Sequence, residues 1–191
     1  ADLQPMTRRQ VSGQYLQLGY THILPKGLDH ILFVLGIFLL SPRLKLILLQ
    51  VTAFTVAHTI TLALTIYGVF ALPPAVVEPL IALSIAYVAI ENLVTRELQP
   101  WRVALVFGFG LLHGMGFAGV LWELGLPRSE LVTALLTFNL GIEGGQLTVI
   151  ALAFGAVFQV QRQDWYRRWV VVPASLAIAA TGVVWTVQRV I

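Results

Sequence analysis

The stretch Gly19-Tyr20-Thr21-His22-Ile23-Leu24-Pro25-Lys26-Gly27-Leu28-Asp29-His30-Ile31-Leu32-Phe33-Val34-Leu35-Gly36-Ile37-Phe38-Leu39-Leu40 decides the fold. Its second half belongs to an apolar run, residues 27–41. As a helix that run rises only about 22 Å, against a hydrocarbon core of about 30 Å. The cluster Pro25-Lys26-Gly27 cannot continue a regular helix into it from the semi-apolar residues before. Residues 14–26 therefore read as an interfacial or re-entrant segment that dips into the membrane and starts the first span below the surface. Irregular backbone at that depth is tolerated only where protein covers it or where it lines a wet cavity. The break points to a pocket open to the outside, with His22, Asp29 and His30 around it.

Working outward, further apolar runs occupy residues 46–70, 76–95, 103–122, 130–158 and 169–188. The expected fold is all-α: a six-transmembrane-helix bundle with a broken first segment, one transmembrane domain over residues 1–191. Within it residues 1–13 form a polar outer tail and residues 27–191 the six spans. Alternate connections carry Arg43, Lys45, Arg96, Arg102, Arg162, Arg167 and Arg168, whereas the opposite loops carry Arg128 with Glu78, Glu123 and Glu130. By the positive-inside rule the arginine-rich side is cytoplasmic and both termini face outward, on the periplasmic side of a bacterial inner membrane. The opening at Ala1, followed by a short polar run, is the start that a removed signal peptide would leave.

Composition agrees. Charged residues make up 11% of the 191 residues and hydrophobic residues 58%, with a mean hydropathy of +0.83. A soluble domain carries about 25% charged residues. The excess of basic residues, 12 Lys and Arg against 9 acids, fits membrane-flanking loops and not a nucleic-acid surface. With no cysteine, disulfides, thiolate metal sites and iron–sulfur clusters are excluded, so any metal is held by nitrogen and oxygen.

All four histidines, His22, His30, His58 and His113, lie in or beside the apolar runs, together with Asp29, Glu91 and Glu143. Ionisable groups at membrane depth are costly and mark ion or proton pathways. His30 stands 11 residues from Ser41, His58 13 from Lys45 and His113 11 from Arg102. All three then lie about 16–20 Å above the inner edge, sharing one layer. Helical spacing places Ser84, Tyr87 and Glu91 on one stripe and Asn139, Glu143 and Gln146 on another. The expected metal site is His22, Asp29, His30, His58, His113 and Glu143, with Glu91, Asn139 and Gln146 in transport or proton relay. Imidazole and carboxylate without thiolate suit nickel, cobalt or zinc.

The elements Gly27-x-Asp29-His30, Thr52-Ala-Phe-Thr-Val-Ala-His58, Glu91-Asn92, Phe109-Gly-Leu-Leu-His113-Gly-Met-Gly-Phe-Ala118 and Phe138-Asn-Leu-Gly-Ile-Glu-Gly-Gly-Gln146 occur in that order. Together they resemble the HupE/UreJ family. The spacing His22-Ile-Leu-Pro-Lys-Gly-Leu-Asp-His30 and the lack of an acid between Met115 and Gly119 resemble its second, less characterised branch. The resemblance implies a nickel, or nickel and cobalt, permease, with Gly27-x-Asp29-His30 and His113-Gly114 on the metal-associated motifs. The residues themselves leave two other functions open. Three histidines and a carboxylate around an open position can activate water in an intramembrane metal-dependent hydrolase. Buried polar groups also serve assembly, as in an accessory subunit of a larger membrane complex or a homo-oligomer.

Overall fold

The computed structural model describes residues 6–40, 43–95, 97, 99–123 and 128–191. Among them every regular element is helical: α1 (Arg8–Ile23), α2 (Leu28–Leu40), α3 (Leu44–Ile66), α4 (Pro74–Val94), α5 (Arg102–Glu123), α6 (Leu131–Val157) and α7 (Val172–Val190). A π-helical turn, Arg167–Val171, leads into α7. α1 starts inside the stretch read as a polar tail because Thr7 and Gln10 form a reciprocal capping box, each side chain meeting the other's backbone N–H.

α1 and α2 are bent by 67° at the break that Pro25 and Gly27 impose. A Cβ at Gly27 would strike the His22 carbonyl oxygen, so the chain turns there only because glycine has no side chain. α3, α4, α6 and the π-turn with α7 each have the length and apolarity of a membrane span; the bent pair adds a fifth. The count falls short of the six spans read from the sequence because α5 is apolar over a shorter described stretch, Arg102–Phe117. The protein is an all-helical integral membrane protein. Its outer surface fits that solvent: Leu48, Leu49, Val56 and Ile60 on α3, Leu136 and Leu140 on α6, and Val183, Val184 and Val187 on α7 are all exposed.

Three close helix pairs make up the bundle, α3 with α5, α1 with α6 and α4 with α7, and α2 threads between them against α4 and α6. Each pair meets at glycine. Gly110 and Gly114 of α5 lie against the Phe54 and His58 backbone, Gly19 and Gly141 join α1 to α6, and Gly182 of α7 lies against Ala82 and Ala86. In lipid there is little hydrophobic drive between helices, so such backbone contact supplies the packing.

Candidate metal centre

α1 descends alongside α6, from Arg8 near Glu130 to Ile23 beside Gly145, and so carries His22 into the bundle. The bend then hands the chain to α2, whose first turn holds Asp29 and His30. His58 comes from the middle of α3 and His113 from the middle of α5, which Gly114 draws close to His58. The four imidazoles converge: ring centres are 4.8 Å apart for His22 and His30, 5.9 Å for His30 and His58, and 4.9 Å for His30 and His113. His58, His113 and His30 are 0%, 1% and 6% exposed.

Hydrogen bonds assign the tautomers. The Asn139 amide nitrogen donates to the Leu135 carbonyl, so its oxygen, 3.1 Å from His58 Nδ1, accepts from an N–H there. The lone pair of His58 is thereby on Nε2. Ser84 Oγ donates to the Ile81 carbonyl and lies 3.1 Å from His113 Nε2, which leaves the His113 lone pair on Nδ1. Both of these nitrogens, and Nε2 of His22 and His30, are buried with no hydrogen-bond partner among the described residues. Unpaired buried polar atoms are rare and costly, and converging imidazole nitrogens are the donor set of a transition-metal site. One nitrogen from each of His22, His30 and His58 lies within 4.8 Å of the others. Around one ion at about 2.1 Å, tetrahedral ligands stand about 3.4 Å apart, so closure needs side-chain shifts of about an ångström.

His22, His30 and His113 line a cavity of about 500 Å³ whose wall also includes Thr21, Lys26, Asp29, Glu78 and Arg189. It opens at the end where Lys26 and Glu78 are exposed. A family model described as HupE / UreJ protein matches residues 2–189. The chain belongs to the HupE/UreJ family. No curated protein and no solved structure matches it.

The acids of this HupE/UreJ protein stand apart from the imidazoles. Asp29 is at the cavity wall, both oxygens held by Arg189 at 3.0 and 3.1 Å. Glu143 accepts from Thr52 at 2.8 Å, on the outer side of the α3–α6 seam and not on the cavity wall. At about 100° per residue, Asn139 and Gln146 share a direction to within about 20°, whereas Glu143 is turned about 40° from Asn139. Asn139 and Gln146 are accordingly buried, the latter accepting from Thr55 at 3.1 Å. Glu91 lies deeper, 3.2 Å from Arg102, with both side chains almost fully buried.

The sequence suggests an inner-loop arginine as a partner of Glu91, a place that Arg102 fills, but nothing in it points to Arg189 beside Asp29 or to Phe33 and Phe54, which pack under the histidines. Ser84 was visible only as a member of a helical stripe.

Proposed function

We propose that this HupE/UreJ protein is a permease that moves a divalent first-row metal, nickel or cobalt, inward across a bacterial inner membrane. The observation that carries the reading is the group of buried imidazole nitrogens of His22, His30, His58 and His113, without partners among the described residues, at a cavity open at one end that His22, His30 and His113 line. In this reading the chain is one transmembrane domain crossing the bilayer six times, with α1 and α2 as one broken span and α5 as another. Both termini then face the periplasm. The ion enters past Lys26 and the Asp29–Arg189 pair, sheds water, and is held by His22, His30 and His58 with His113 beside them. Neutral imidazoles favour a borderline cation over Mg²⁺ or Ca²⁺, which take oxygen ligands. Asn139 and Ser84 act through the histidines they orient.

Proteoliposomes loaded with a metal-sensing dye test this. Nickel or cobalt should enter with the intact protein and not with His30→Ala or His58→Ala. Binding without uptake would favour metal-dependent hydrolysis, since three imidazoles facing a cavity leave a position for water. Loss of neither binding nor uptake in the variants would leave the histidines a role in assembly.

A further inference from the structure

Under the histidines the bundle is closed in two layers. The first is aromatic: Phe33 and Phe54, both nearly fully buried, stand 5.2 Å apart and lie 5.3 and 5.0 Å from the His113 ring. The second is ionic. Further along α4 from Ser84 and along α5 from His113, Glu91 Oε2 meets Arg102 Nη1 at 3.2 Å, the two side chains 7% and 1% exposed. Beyond it lies a separate cavity of about 290 Å³, walled by Arg102, Gln50 and Gln99.

This pair is poorly built for a static role. Buried ion pairs stabilise only with good geometry and further hydrogen bonds, and arginine normally meets a carboxylate through two parallel N–H bonds. Here, among the described residues, neither Glu91 oxygen and none of the three Arg102 side-chain nitrogens makes a well-aligned hydrogen bond. Arg102 also borders the second cavity.

We propose that the Glu91–Arg102 pair is the inner gate: an arriving cation takes the Glu91 carboxylate, and Arg102 withdraws into the second cavity, opening the way out. Glu91 holds one cation at a time, so the gate opens only when cargo replaces the guanidinium. The identity of the cargo rests on the permease reading; the closure itself does not.

The chain has no cysteine, so a single one reports cleanly. Val106, fully buried and one turn above Arg102 on α5, is the reporter position. Val106→Cys is exposed to a water-soluble thiol reagent from the Gln99 side, in vesicles without added metal. The gate predicts slow labelling in the otherwise intact chain and at least tenfold faster labelling when Glu91→Gln and Arg102→Gln are combined. Arg102→Lys, which keeps the charge but shortens the reach, should give an intermediate rate. Exchanging the charges, Glu91→Arg with Arg102→Glu, should restore protection. Equal shielding in the neutral and Arg102→Lys variants would overturn the gate, as would labelling of the intact chain at the neutral variant's rate. A separate arm adds nickel or cobalt at the opposite face: acceleration by metal supports the permease, and its absence with the metal-free differences intact would count against the cargo alone.

Discussion

At the scale of single residues, which imidazole nitrogen is free decides what the centre can bind. Asn139 holds the His58 proton on Nδ1 and so aims the Nε2 lone pair at the cluster. Groups that orient a metal-binding histidine typically change affinity by about 10–100-fold when removed. Asn139→Ala should therefore weaken nickel binding by about that factor without unfolding the protein, and titration calorimetry in detergent would measure it; unchanged affinity would remove Asn139 from the site. The second expectation concerns protons. Each ligand must be neutral to bind, and imidazole gains its proton near pH 6.5 in the absence of other influences. Protons and metal compete for the same lone pairs, so affinity should fall as the medium is made acid and level off toward neutral pH. The histidines were legible from sequence because four such groups in apolar runs have few uses. The partners of the acids were not legible in the same way. Asp29 adjoins His30, yet its carboxylate is claimed by Arg189 at the far end of the chain, a pairing no local pattern announces.

At the scale of helices, close approach at glycine sets the geometry of the centre. A Cβ on Gly114 would strike the His58 carbonyl and the Thr61 hydroxyl, so α5 can reach α3 only with glycine there. Gly114→Val should push the helices apart, lower stability by about 1–3 kcal/mol as overpacking does, and separate His113 from the other imidazoles. Gly108→Ala, with nothing within 4 Å of the added carbon, is the matched control. Thermal unfolding in detergent with a parallel metal titration distinguishes the two; equal behaviour would mean that α5 is free to shift. The α1–α2 break was legible because an apolar run too short for the membrane and a Pro-Lys-Gly cluster carry the same message. The small-residue runs at 108–119 and 141–145 suggest that α5 and α6 approach each other closely; instead α6 takes α1 and α5 takes α3. A spacing of four residues drifts about 40° around a helix, so Glu143 meets Thr52 while Asn139 and Gln146 are buried.

For the whole molecule, the two ends differ in charge as well as in shape. One carries Asp29, Glu78 and Glu130 with Lys26, Arg8 and Arg189, and the large cavity opens there. The other gathers Arg43, Lys45, Arg102, Arg162, Arg167 and Arg168, with Arg167 bonded to the carbonyls of Asn92 and Thr95. The positive-inside rule assigns the second end to the cytoplasm, so the histidine cavity should face the periplasm. Thr21 is on the cavity wall, and in a chain without cysteine Thr21→Cys offers one thiol there. In intact spheroplasts, a membrane-impermeant thiol reagent should label it, and nickel should slow the labelling because an ion on the histidines narrows the cavity. In a His30→Ala background the nickel effect should disappear while labelling persists, which separates occupation of the centre from simple exposure. Labelling only after the cells are opened would reverse the orientation, turn entry into exit, and make the same cavity the mouth of an exporter.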